Sequence, residues 1–153
     1  MASVLFVCLG NICRSPTAEA VFRHKARQAG LDVTIDSAGT GGWHVGAGPD
    51  PRSKEAGEKA GYSFDGLAAR KVEKTDFAKF DYILAMDADN LADLRAMQPA
   101  GYSGYLGLFL DFAEGQSERE VPDPYYGGKD GFSHVVDLIE HASAGLIKTL
   151  QTR

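Results

Sequence analysis

The feature that most constrains this chain is a four-residue apolar run, Val4-Leu5-Phe6-Val7, that leads through a short loop into a Ser-Pro pair. A run apolar on both faces suits a strand covered from both sides, as in a parallel sheet. The loop is Cys8-Leu9-Gly10-Asn11-Ile12-Cys13-Arg14. Ser15 then reads as a helix N-cap with Pro16 at the first helical position. The helix is expected over Thr17 to Ala29, with Gly30 as its stop. A strand, a tight loop and a helix in immediate succession are the opening of an α/β sheet.

The rest of the chain continues that alternation. Val33-Thr34-Ile35 reads as a second strand, followed by a glycine-rich loop from Gly39 to Gly48 that contains Trp43. Asp50-Pro51 opens a polar helix ending near Gly61, and Lys74 to Lys79 reads as a short helical turn. Tyr82 to Met86 is a third buried strand. Asp87 is a good N-cap for a helix through Gln98, which Pro99 stops. Tyr105 to Leu110 gives a weaker fourth strand, and Asp111 to Gly131 a long polar loop of the kind that often carries function. From Phe132 the apolar residues Val135, Val136, Ile139, Ala142, Leu146, Ile147 and Leu150 recur at helical spacing. The whole pattern predicts one domain over residues 1–153, an open α/β sheet with helices on both faces. Ligands of such sheets sit beyond the strand C-termini, where the Cys8 loop is expected.

Composition narrows the partners. The 153 residues are 44% hydrophobic and 24% charged, which suits a folded globular domain rather than a disordered one. Sixteen basic against 21 acidic residues give a net charge of −5, which argues against a broad nucleic-acid or anionic-membrane surface. No apolar run is long enough to insert in a bilayer, and no basic residue precedes the first one, which argues against a secretory signal. Cys8 and Cys13 are the only cysteines, too few for a disulfide framework or a structural zinc site. A cytoplasmic location without structural zinc is therefore expected, and no cofactor is called for.

The chemistry concentrates in the Cys8 loop. A short loop entering a helix N-terminus turns backbone N–H groups into one hollow, and the helix dipole adds positive potential. A phosphate-sized anion fits there, with Arg14 as a two-pronged donor to its oxygens. The same field favours a nucleophilic thiolate at Cys8. Gly10 and Asn11 permit the loop's unusual backbone, and Ser15 can donate its hydroxyl to the sulfur. A lone cysteine at a strand end is more often a small buried hydrophobe; the Gly, Asn, Arg and Ser-Pro around Cys8 favour catalysis. Cleaving a phosphate ester also needs a proton donor. Asp123, stiffened between Pro122 and Pro124, is the candidate, with Tyr125 and Tyr126 placed to wall a pocket for a flat substrate. By itself Pro-Asp-Pro is only a rigid turn.

The stretch Val7 to Pro16 closely resembles the phosphate loop of low-molecular-weight protein tyrosine phosphatases, and Asp123-Pro124-Tyr125-Tyr126 resembles their general-acid loop. Asp36-Ser37-Ala38-Gly39-Thr40, Gly48-Pro49-Asp50-Pro51-Arg52, Ala69-Arg70, Phe80-Asp81-Tyr82-Ile83, Met86-Asp87 and Asn90 match in family order over almost the whole chain. The resemblance implies a four-stranded parallel sheet with helices on both faces and no metal. It implies that Cys8 attacks phosphorus and forms a phosphocysteine. Arg14 and the amides of Leu9, Gly10, Asn11, Ile12, Cys13, Arg14 and Ser15 would hold the phosphoryl oxygens. Asp123 would protonate the leaving oxygen and then activate water. Asn11, Ser15 and Ser37 match the family's support of the loop. Ile12, Trp43, Tyr125 and Tyr126 match its substrate pocket. Phosphotyrosine proteins or peptides are the implied substrates and a tyrosine kinase an implied partner, for which Tyr125 and Tyr126 would be targets. Under peroxide, Cys8 and Cys13 would form a protective disulfide.

One departure stands out. Many members carry a histidine where this chain has Leu67, and that histidine pairs with the residue matching Asp87, so Asp87 is expected to lack its partner. His24, His44, His134 and His141 read most simply as surface or helix residues, with His44 beside Trp43. Four rival readings differ from this one in identifiable residues. Arsenate reductases of this fold use further downstream cysteines, which are absent here. Protein-arginine phosphatases carry threonine at the position of Ile12. Cysteine phosphocarrier domains need neither a fixed Arg14 nor an acid such as Asp123. A catalytically dead binding module has no use for Cys8, Arg14 and Asp123 together.

Overall fold

The computed structural model describes residues 2–124 and 129–152. In chain order the elements are β1 (Ala2–Cys8), α1 (Arg14–Gln28), β2 (Val33–Gly39), α2 (Pro51–Lys59), α3 (Asp76–Lys79), β3 (Tyr82–Ala85), α4 (Ala88–Met97), β4 (Tyr105–Leu108), a 3-10 turn over Phe109–Phe112, and α5 (Lys129–Gln151). The four strands form one parallel sheet in the order β2-β1-β3-β4.

Strand β1 is central, and both of its faces are covered. Val4 and Phe6 join one core with α1 and α5, while Leu5 and Val7 join a second with Phe77, Phe80, Leu91 and Leu94. Alternating residues of a strand point to opposite faces, so a strand covered on both sides must be apolar throughout. Phe6 anchors the first core, edge-on to Phe22 with centroids 5.6 Å apart and tilted against Phe109 at 4.8 Å.

The strand order also places the site. The chain moves from β1 outward to β2, then returns to the other side of β1 for β3 and β4. The order therefore reverses at β1, and the crevice beyond its C-terminal end is the natural ligand position. Cys8 is the last residue of β1.

Several boundaries differ from the sequence reading, each for a local reason. Strand β2 runs on from Ile35 through Asp36 and Ser37 to Gly39, pairing Leu5 with Asp36 and Phe6 with Ser37. Its polar end disguised it as a loop. The fourth strand stops at Leu108, and Phe109 and Leu110 are buried in the 3-10 turn instead. An apolar run specifies burial more firmly than it specifies extension. Helix α5 begins at Lys129, ahead of Phe132. Ser15 is not an N-cap: α1 already starts at Arg14, its N-cap is Cys13, and Pro16 sits within the first turn, where a missing N–H costs nothing. Among the described residues, no helix is long and apolar enough to cross a membrane.

Candidate active site

The loop after Cys8 is shaped by bonds made behind it. Thr40 N–H donates to the Cys8 carbonyl at 2.9 Å, Gly41 N–H to Leu9 at 2.9 Å, and Asp50 N–H to Ile12 at 2.7 Å. In a trans peptide the N–H points opposite to its carbonyl. Tying these carbonyls to neighbouring segments therefore turns the amides of Leu9, Gly10 and Cys13 the other way. Asn11 supplies the turn, with φ at 56°, in the left-handed region that asparagine tolerates. Its own N–H reaches the Cys8 sulfur at 3.3 Å. Gly39 is needed beside it, since a Cβ there would sit 2.7 Å from the Leu9 oxygen.

Around the sulfur the side chains form a connected set. Ser15 Oγ lies 3.0 Å from Cys8 Sγ. Asn11 Nδ2 donates to Ser15 Oγ at 2.7 Å and to Ser37 Oγ at 3.0 Å. The backbone N–H of Arg70 donates to Asn11 Oδ1 at 3.0 Å. The Arg70 guanidinium bridges Asp36 and Asp76, which clamps the end of β2 to α3.

Arg14 is buried at the first position of α1, only 2% exposed. Its Nη1 donates to Asp87 at 2.5 Å and to the Val121 carbonyl at 3.1 Å, while Nη2 lies 3.7 Å from Asp123. Burial alone would lower its pKa, but the negative charges of Cys8, Asp87 and Asp123 outweigh it and raise it. The guanidinium stays charged. Asp87 caps α4 with its other oxygen, accepting from Asn90 N–H at 2.8 Å. With Leu67 packed against the main core in that position, Asp87 lacks the histidine partner as expected, and Arg14 engages it instead. Val121 N–H also donates to Met86 at 2.7 Å, so the segment leading to Asp123 is pinned to the end of β3.

The result is a pocket of about 310 Å³ lined by Cys8, Leu9, Gly10, Ile12, Cys13, Arg14, Trp43, His44 and Asp123. Trp43 is largely exposed, its ring lying over Gly41 so closely that a Cβ there would be 2.0 Å away. The structure thus brings together Cys8, Arg14, Asp123, Ile12 and Trp43, with Asn11, Ser15 and Ser37 behind them. Tyr125 and Tyr126 lie outside the described residues. Both cysteines are free thiols. Burial pushes Cys13 up to about 12, with a Ser53 hydrogen bond pulling the other way and the charges of Asp50, Cys8 and Asp123 adding to the rise. Among the described residues, no group of three or more His, Cys, Asp or Glu side chains is placed to hold a metal ion.

Sequence reasoning missed three contributors. His44 belongs to the pocket wall, a place its position next to Trp43 hinted at. Val121 acts through its carbonyl, which no side-chain pattern reveals. Glu19, a charged residue one turn after Ser15 on the buried face of α1, bonds Ser37 at 2.7 Å. An acid amid Ala18, Ala20 and Val21 was the available signal.

Comparisons with known proteins agree on one group. The family model described as low molecular weight phosphotyrosine protein phosphatase matches residues 3–153. The low molecular weight protein-tyrosine-phosphatase YfkJ of Bacillus subtilis is 46% identical over 153 residues, covering 99% of this chain and 97% of its own. Among solved structures, a protein tyrosine phosphatase from Entamoeba histolytica matches with a TM-score of 0.95 at 42% identity, over 99% of this chain and 98% of that one. An arginine phosphatase from Drosophila matches with a TM-score of 0.91 at 31% identity, over 97% of each chain.

Proposed function

The chain belongs to the low molecular weight phosphotyrosine protein phosphatase family, and on that premise we propose that Cys8, Arg14 and Asp123 carry its phosphatase reaction. It is a protein tyrosine phosphatase, and phosphotyrosine is the substrate class. The observation that carries the residue assignment is the convergence of a nucleophile, a buried guanidinium and a half-exposed carboxyl on one pocket.

In the first step Cys8 Sγ attacks phosphorus. The P–O bond to the tyrosyl oxygen breaks, and Asp123 gives that oxygen its proton. Arg14 and the loop amides of Leu9 to Ser15 hold the phosphoryl oxygens, whose charge is greatest in the transition state. In the second step water attacks phosphorus and Asp123 takes its proton. The P–S bond breaks with its electron pair on Cys8. Ser15, 3.0 Å from the sulfur, makes that thiolate a better leaving group. Trp43 gives the flat ring of the substrate an apolar wall, and Ile12 lines the pocket where a threonine hydroxyl would favour a phosphoguanidinium. Proteins phosphorylated by a tyrosine kinase, and the kinase itself, are the partners this chemistry fits. Cys8 and Cys13 line the same pocket, which supports a disulfide under peroxide; recovery of Cys13→Ser from peroxide as full as wild type would remove that role.

The test is turnover of p-nitrophenyl phosphate with a chelator and a reductant present. Wild-type activity that is lost in Cys8→Ser is expected; an active Cys8→Ser would overturn the assignment. Matched phosphotyrosine and phosphoarginine peptides then test the substrate, with the tyrosine peptide expected to be preferred.

A further inference from the structure

Glu19 is acidic, only 4% exposed, and absent from the pocket wall; burial pushes its carboxyl up, while the Ser37 hydroxyl and Arg23 favour the carboxylate. Its two oxygens are both engaged, one by the Ser37 hydroxyl at 2.7 Å and the other by Arg23 Nη2 at 2.5 Å. Starting from this group, the hydrogen-bond directions behind Cys8 can be worked out.

A carboxylate only accepts, so the Ser37 proton is spent on Glu19. Ser37 Oγ is left as an acceptor, and Asn11 Nδ2 meets it at 3.0 Å. At the other end of the Asn11 amide, the Arg70 N–H can only donate, and it meets Oδ1 at 3.0 Å. The amide is thus held in one orientation from both sides. Its second N–H goes to Ser15 Oγ at 2.7 Å. Ser15, already accepting, has its own proton to give. The Cys8 sulfur at 3.0 Å takes it in preference to the Ala38 carbonyl at 3.5 Å.

We propose that Glu19 is a positioning residue of this phosphatase, acting through Ser37, Asn11 and Ser15 to direct the Ser15 proton onto the Cys8 sulfur. This rests on Cys8 being the nucleophile. Without the charge at Glu19, the Ser37 proton has no committed acceptor in a buried place, which is costly. A flipped Asn11 amide, whose oxygen would accept from both Ser37 and Ser15, is then opposed only by the Arg70 N–H that it leaves without an acceptor. Ser15 would turn away from Cys8. The loss falls on the step in which the P–S bond breaks and the electron pair returns to sulfur, since that step needs the donor most.

Glu19→Gln keeps the shape and removes the charge. In p-nitrophenyl phosphate turnover its kcat is expected to fall about tenfold, the scale of one hydrogen bond to a charged acceptor. Phosphocysteine trapped by acid quench at steady state should rise. The deciding measurement is a double-mutant cycle: in a Ser15→Ala background, adding Glu19→Gln should change kcat less than twofold. The same tenfold loss in both backgrounds, or a Glu19→Gln kcat within twofold of wild type, would overturn the proposal and leave Glu19 a packing residue. Ser37→Ala cuts the same chain while keeping the Glu19–Arg23 pair, and it carries the cycle if Glu19→Gln folds poorly. An active Cys8→Ser would instead overturn the site assignment beneath it.

Discussion

At the scale of single residues, the site separates groups that react from groups that hold. Asp123 is the one member of the reacting set with substantial exposure, its side chain 38% accessible beside a buried Arg14. A proton donor matters most for a poor leaving group, so Asp123→Asn should cost phosphotyrosine peptides about 10²–10³-fold in kcat/KM. p-Nitrophenyl phosphate, whose product leaves readily, should lose far less. Equal losses on both substrates would remove Asp123 as the acid. The two thiols provide a second contrast. Cys13, pushed up to about 12 by burial, stays protonated near neutral pH and is a poor nucleophile there. Brief iodoacetamide treatment followed by peptide mass mapping should find Cys8 alkylated and Cys13 intact. Cys8 and Arg14 were legible from spacing because their chemistry demands a strand, a loop and a helix start in a row. The engagement of Asp87 by Arg14 was not, because a chain pattern shows which side chains exist and not which of them meet across the fold.

At the scale of elements, helix caps tie the site to its frame. Asp50 caps α2 by accepting from Arg52 N–H at 2.9 Å, while its own N–H holds the Ile12 carbonyl. Burial would raise its pKa, but the side-chain and backbone bonds from Arg52 outweigh this and lower it from the ordinary 3.8. A carboxyl lowered by folding contributes stability above its unfolded pKa and loses it as pH falls through the folded value. Asp50→Ala should therefore cost about 1 kcal/mol near neutral pH. The gap from wild type should close as the pH drops below 3.8. Urea titrations across that range read both, and a gap that persists in acid would assign the loss to something other than the charge. Caps such as Asp50 and Asp87 were legible because their side chains act on the next turn. The end of β2 was not, since Asp36 and Ser37 are there to serve Arg70 and the loop, and such polar residues break the apolar signature of a strand.

At the scale of the whole molecule, stability and catalysis should be separable along α5: its start at Phe132 packs on Ile12 and Cys13 of the loop, while Ala142, Leu146 and Leu150 further along belong to the main core. Gly145 lies where α5 crosses the 3-10 turn, and a Cβ there would stand 1.6 Å from the Phe112 carbonyl oxygen. That oxygen belongs to backbone, so no side chain can swing aside; helix and turn must part. Phe109 sits in the same turn against Phe6, so the displacement reaches the core beneath β1. Overpacking of this kind costs about 3 kcal/mol, a large share of a domain's usual 5–15 kcal/mol. Gly145→Ala should lower the melting temperature by roughly 10 °C. Among the described residues, neither the turn nor α5 contributes to the pocket wall, so kcat per folded molecule, measured well below the melting point, should stay within about twofold of wild type. A variant that melted normally would mean that α5 and the turn can separate at little cost. A variant that melted early and also lost kcat would show that the Cys8 loop depends on the packing of α5, and the division between frame and site would fail.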